Sequence, residues 1–347
     1  MAEPSAAPPP AEAAPTASLV TIDDIRAAAA TLRGIAIRTP LVPFGRPADR
    51  RLLKAESLQP IGAFKIRGAY VAVASLGVDE RSRGVITYSS GNHAQGVARA
   101  GRLLGVPAVV VMPSDAPALK RARVEADGAQ VVVVGTSSDE RRQVAEEIAA
   151  RRGLAIIPPF DDDRIIAGQG TVGLEIVEDL PDVAAVLVPI GGGGLASGVA
   201  VAVKALAPGA RVIGVESELA ADARDSLREG RIVRWAPDLV SRTIADGTRT
   251  TALGQRTFAH LSALLDGIVT VTEFEIAAGV RLAAEESRLV VEPSGALSVA
   301  GLAFRAREAG LENLDGPIVA VVSGGNVDPD RYRDLLDAPI PAGWSRA

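Results

Sequence analysis

Residues 84–113 read GVITYSSGNHAQGVARAGRLLGVPAVVVMP: an apolar run, a small polar loop, a helical stretch from Asn92 to Leu104 and a second apolar run. The runs are apolar on successive residues rather than alternate ones, the mark of strands buried on both faces. The pattern continues through a helix near Ala116 to Asp127, the run QVVVV, a helix near Ser138 to Arg151, and LAIIP. Such strands, separated by amphipathic helices, predict a parallel sheet covered on both sides.

A second series follows. It comprises a helix near Gly170 to Asp179, the run VLVPI, a helix from Leu195 to Leu206, RVIGVE, helices up to Gly230, IVTVT, helices near Glu273 to Ser287 and Gly295 to Glu308, and PIVAVVS. The fold class is therefore α/β with two sheets in one chain. Residues 1–17, MAEPSAAPPPAEAAPTA, lack a basic start and an apolar core, so they read as a disordered Ala/Pro-rich tail rather than a secretory signal. Val183 to Val203 is uncharged and long enough to span a bilayer. Pro189 and four glycines interrupt it, which predicts a buried strand, loop and helix and no membrane partner.

Composition narrows the chemistry. The 347 residues hold no cysteine and two histidines, which leaves no disulfide, no thiolate nucleophile and no Cys-based metal site. Aromatic residues are 3% and the net charge is −5, so the basic surface and stacking platforms of nucleic-acid binding are missing.

Four glycines, Gly191 to Gly194, stand between an apolar run and a helix. Glycines admit a phosphate close to the backbone, and free amides at a helix N-terminus supply positive potential. A flexible linker does not fit two apolar, regularly patterned flanks. Read locally, Gly191-x-Gly193-x-x-Ala196 followed by Glu216 also suits a dinucleotide and a nicotinamide oxidoreductase. Three further groups favour other chemistry: Lys65 in QPIGAFKIRGA (59–69), Ser89, Ser90, Gly91, Asn92 and His93 in the loop SSGNHAQG (89–96), and Ser323 in SGGN (323–326). The amides of the second loop suit a carboxylate. The glycine quartet, SSGNH and SGGN all follow strands, and ligands of open α/β sheets bind at strand carboxyl ends.

The lysines number four: Lys54, Lys65, Lys120 and Lys204. Lys120 and Lys204 fall on helices and read as solvated; Lys54 ends an apolar run and reads as structural. Lys65, between small-residue turns and beside Phe64, is the candidate reactive amine.

In their order, GAFKIRGA, SSGNHAQGVA, PFDDDRIIAGQGT, GGGGLASG, GVE, VVEPSGA and SGGNVD resemble the fold-type II pyridoxal-phosphate enzymes, in the branch of threonine/serine dehydratases and serine racemases. The resemblance runs from about Ile22 to Arg333. It implies two interleaved open twisted-sheet domains, a large cofactor-binding one (18–80 and 158–340) and a small substrate-side one (81–157). It implies that Lys65 is the Schiff-base lysine and general base, that Phe64 packs by the cofactor, and that Gly191, Gly192, Gly193, Gly194 and Leu195 hold its phosphate. Asn92 would bond the cofactor's phenolic oxygen, Ser323 its pyridine nitrogen, and Ser89 to His93 the substrate carboxylate. Glu216, Ala220 and Asp222 match the spacing of a divalent-cation site in some members, suited to magnesium or calcium.

Within the branch, Ser90 matches the second acid/base of the racemases, whereas Phe160 looks like the dehydratases. Ile61 and Ala63 depart from the commoner T-G-S before the lysine. The expected activity is dehydration and deamination of L-threonine or L-serine, with serine racemase or 3-hydroxyaspartate dehydratase as alternatives. The expected protein is a cytoplasmic homo-oligomer of the catabolic type, without a regulatory domain. Glu292 and Asp246 lie in matched segments, and the sequence assigns them no role.

Overall fold

The computed structural model describes residues 18–89, 91–116, 118–135, 138–342 and 344. The 1–17 tail and Ser90 lie outside the described residues. The strands are β1 (Leu41–Pro43), β2 (Arg51–Ala55), β3 (Val85–Tyr88), β4 (Ala108–Pro113), β5 (Gln130–Val134), β6 (Ala155–Ile156), β7 (Ala185–Pro189), β8 (Arg211–Ser217), β9 (Gly267–Val271) and β10 (Ile318–Val322). The helices are α1 (Ile22–Thr31), α2 (Ile66–Ala74), α3 (Val78–Arg83), α4 (Asn92–Leu104), α5 (Ala118–Ala126), α6 (Ser138–Arg152), α7 (Asp163–Asp179), α8 (Gly194–Leu206), α9 (Asp222–Glu229), α10 (Pro237–Val240), α11 (Gln255–Leu264), α12 (Glu273–Ser287), α13 (Pro293–Phe304) and α14 (Pro329–Leu336).

Two sheets form, as the apolar runs predict. The larger has the order β1-β2-β10-β7-β8-β9 and is parallel except for β1; the smaller, β5-β4-β3-β6, is parallel throughout. In the larger sheet Leu187, Ala320 and Val322 face one core, and Val186, Val188, Val319 and Val321 face the other. The smaller sheet likewise divides Val85, Val110 and Met112 from Ile86, Val109 and Val111. Burial on both faces is why these strands read as unbroken apolar runs rather than as alternations.

Two sequence boundaries shift. Helix α7 begins at Asp163, not near Gly170, because the Asp162 side chain accepts the Arg164 amide at 2.8 Å and caps it. Helix α13 starts at Pro293 and ends at Phe304, before the expected Glu308. The uncharged 183–203 stretch is β7, a glycine loop and α8, and among the described residues no helix is long and apolar enough to cross a membrane. Helix α7 packs against both α2 and α8. A methyl group on Gly168 would lie 2.6 Å from Gly68 Cα, so the two backbones touch and fix α2, and with it Lys65, against the larger sheet's layer.

Candidate active site

A cavity of about 450 Å³ opens at the carboxyl ends of β3, β7 and β10, lined by the Lys65 turn, Ser89, Gly91, Asn92 and His93, the glycine quartet, Phe160, Glu292 and Ser323. The three groups singled out in the sequence thus meet in one place.

The Lys65 turn is stitched to the end of β10. Phe64 N donates to Ser323 O (3.0 Å), Gly325 N to Gly62 O (2.9 Å) and Asn326 Nδ2 to Ile61 O (2.8 Å). Lys65 Nζ donates to Pro159 O at 2.7 Å and stands 5.1 Å from the Phe64 ring centroid. No carboxylate among the described residues pairs with it, and burial pushes its pKa down to about 8. A much larger fraction of this amine is therefore neutral, and able to act as a nucleophile or base, near neutral pH than of an ordinary lysine.

Across the cavity, β7 ends in the glycine quartet. Gly193 has φ +89°, and a side chain on Gly192 would enter the Phe160 ring, with Cβ 2.1 Å from its nearest atom. Among the described residues the amides of Gly191 to Ala196 make no hydrogen bond, and they stand at the positive end of α8. Open amides at and just before a helix N-terminus are a setting that could hold a phosphate.

In the third loop the Ser89 hydroxyl accepts the Gly91 amide at 3.2 Å, so that amide is already used. The amides of Asn92, His93 and Ala94, at the start of α4, stay open among the described residues. His93 is buried, and its Nε2 donates to Ile157 O at 3.0 Å. Burial, and then the charge of Lys65, drive its pKa down to about 3. The ring stays neutral and braces the wall. Asn92 is partly committed: its Nδ2 donates to Glu292 Oε1 (2.6 Å) and its Oδ1 accepts from Asn326 Nδ2 (2.8 Å), which leaves one amide hydrogen for a cofactor. Ser323 is buried at the end of β10, and its hydroxyl makes no hydrogen bond among the described residues.

Sequence reasoning missed several parts of this site. Lys120 is not solvated: its side chain is 12% exposed, it lines the cavity, and its Nζ meets Asp246 Oδ2 at 2.6 Å. Its helical spacing gave no signal, because the helix is brought to the cavity only by the packing of the smaller sheet. Lys204 is half-buried and pairs with Asp266 at 2.7 Å. Glu292 is buried beside Asn92; burial, and next the charge of Asp246, raise its pKa to about 7. The Pro159 carbonyl has no side-chain signature at all.

Glu216 lies elsewhere in function. Its oxygens accept the Ala223 and Arg224 amides at 3.1 and 2.8 Å, capping α9, so it faces a helix end rather than a ribose on the glycine loop. Asp222 is buried beside it with neither carboxylate oxygen hydrogen-bonded among the described residues. Burial and then the mutual charge push the Glu216 pKa up. No group of three or more His, Cys, Asp and Glu among the described residues is arranged for a metal.

Fold and site together define a parallel α/β enzyme with an anion cradle at the end of one strand and a desolvated amine opposite it. The family model described as "Pyridoxal-phosphate dependent enzyme" matches residues 32–324, and the chain belongs to that family, in the branch that holds threonine ammonia-lyases, serine racemases and hydroxyaspartate ammonia-lyases. It is 41% identical to L-threo-3-hydroxyaspartate ammonia-lyase of Saccharomyces cerevisiae over 91% of this chain and 96% of that protein. Against L-threonine ammonia-lyase of Thermotoga maritima the identity is 42%, over 92% and 79%. The structure of maize serine racemase superposes with a TM-score of 0.86, at 35% identity, over 91% and 97%. The cofactor is pyridoxal phosphate, and the nicotinamide reading is withdrawn.

Proposed function

We propose that the protein dehydrates and deaminates a β-hydroxy α-amino acid, L-threonine or L-serine, releasing 2-oxobutanoate or pyruvate with ammonia. The observation that carries this reading is that an amine without a counter-charge among the described residues, Lys65, and an uncharged hydroxyl, Ser323, line the same cavity as the open amides of the glycine loop.

The residues fit pyridoxal phosphate: the Gly191–Leu195 amides would hold the phosphate, Lys65 the aldehyde carbon, Phe64 a ring face, Asn92 the phenolic oxygen and Ser323 the ring nitrogen. The cofactor, when bound, supplies an electron sink for the substrate α-carbon. The Ser323 hydroxyl would donate a hydrogen bond to a neutral ring nitrogen but, uncharged, would not hold a proton on it as an aspartate carboxylate does, a setting that favours prompt loss of a β-hydroxyl over transamination. Lys65 Nζ takes the α-proton, and the Asn92, His93 and Ala94 amides orient the carboxylate. Ser90 is retained in the proposal as a second acid/base. Glu216, the Ala220 carbonyl and Asp222 are proposed to hold a magnesium or calcium ion. Two adjacent buried carboxylates, one without hydrogen-bond partners, support that assignment. We take residues 81–157 as the substrate-side unit of a cytoplasmic homo-oligomer.

Product analysis tests the reading. Purified enzyme given L-threonine, L-serine and L-threo-3-hydroxyaspartate separately is expected to form 2-keto acid and ammonia from the first two. Dominant D-serine from L-serine, or turnover of hydroxyaspartate alone, would overturn it in favour of the other branch activities. Dehydration indifferent to both added magnesium and chelator would remove the cation.

A further inference from the structure

Lys120 lines the cavity, although the sequence reads it as a solvated lysine on a helix. Its ammonium has one hydrogen-bond partner among the described residues, Asp246 Oδ2 at 2.6 Å, so two of its three N–H groups are unspent although the side chain is only 12% exposed. It also stands over the carboxylate loop: a methyl group placed on Gly91 would lie 3.8 Å from Lys120 Nζ. The open amides of Asn92, His93 and Ala94 begin one residue further on. These amides carry only the partial charge of a helix end, whereas an ammonium beside them adds charged N–H donors, its charge offset in part by Asp246.

From this geometry we propose that Lys120 is a substrate-binding residue whose ammonium, oriented by Asp246, hydrogen-bonds the substrate α-carboxylate seated against Gly91 and Asn92. The inference rests on the amino-acid reading of the site given above. Asp246 is then a positioning residue: it spends one N–H and turns the other two toward the loop. It also explains why a lysine borne on α5 is drawn across the cavity to a residue 126 positions further along the chain.

Binding of a non-reacting pair of ligands to the holoenzyme tests this. L-alanine has the amine and carboxylate but no leaving hydroxyl; ethylamine is the same molecule without the carboxylate. Each is titrated while the visible absorption of the bound cofactor is followed, in wild type, Lys120→Gln and Lys120→Arg. The expected result is a Kd for L-alanine raised about ten- to a hundredfold in Lys120→Gln, largely restored in Lys120→Arg, with ethylamine binding alike in all three. A loss that is equal for both ligands would make Lys120 merely structural and overturn the proposal. Equal L-alanine affinity in wild type and Lys120→Gln would also overturn it, while leaving the amino-acid reading intact. A wild type whose spectrum no amino acid perturbs would overturn both.

Discussion

Lys54 and Lys65 are both carried by the segment that leads into α2, yet their surroundings are opposite. Lys54 is fully buried and compensated: its ammonium meets Glu175 at 2.6 Å and the Thr39 carbonyl at 2.6 Å. Around it Arg67 binds Glu56 through Nε and Nη2, both at 2.8 Å, and Glu175 through Nη1 at 2.7 Å. Two cations and two carboxylates cancel there. Lys65 has a carbonyl and a phenyl ring and no counter-charge among the described residues. In one region burial is offset by pairing; in the other it is not, and the amine's pKa is pushed down to about 8.

The most severe break in this contrast is Lys65→Ala. It is expected to abolish the visible absorption of the bound cofactor and cut turnover by roughly 10⁴-fold or more, while far-ultraviolet circular dichroism stays unchanged. Next in size is Arg67→Met, which leaves Glu56 buried and without its main cation. Denaturant unfolding is expected to show a loss of about 3–5 kcal/mol, and a loss below 1 kcal/mol would mean that the cluster is not the anchor of α2.

A gentler probe sharpens the contrast instead of breaking it. In enzyme stripped of cofactor, the neutral Lys65 amine is the reactive form, so its modification rate should rise with pH around a midpoint near 8, against about 10.4 for an ordinary lysine. A midpoint near 10 would show that burial does not deprive the amine of its proton. The smallest effect is expected at Glu292. Its folded pKa, about 7, lies above the unfolded value, so the stability its carboxyl contributes is present below about pH 4.3 and is lost as pH rises through 7. Glu292→Gln keeps an acceptor for Asn92 and cannot ionise. Its melting temperature relative to wild type should therefore increase between pH 5 and 8, and a constant difference would contradict the assignment.

Much of this was legible before any coordinates. The both-faces-buried strands, the glycine quartet and the solitary glycine-flanked lysine are local signals, because strand burial, turn geometry and helix starts are written in neighbouring residues. Strands β1 and β2 were not read. The run Leu52–Leu53–Lys54 ends in a charge, and its place in the sheet depends on β10, more than 260 residues away. The family resemblance, not the local pattern, associated Asp222 with Glu216, and neither showed that Glu216 caps α9.

The sequence by itself determined the α/β class and singled out the glycine quartet and Lys65 as the candidate phosphate loop and reactive amine, since each rests on residues close together in the chain. Tertiary structure alone decided that the buried Lys54 is charge-paired while the half-buried Lys65 is not, that Lys120 and Asp246 meet at the cavity, and that Glu292 takes Asn92 as its partner. Those outcomes depend on burial and on charges brought together across long separations, and the energy of a charged group is set by what surrounds it in space rather than by its neighbours along the chain.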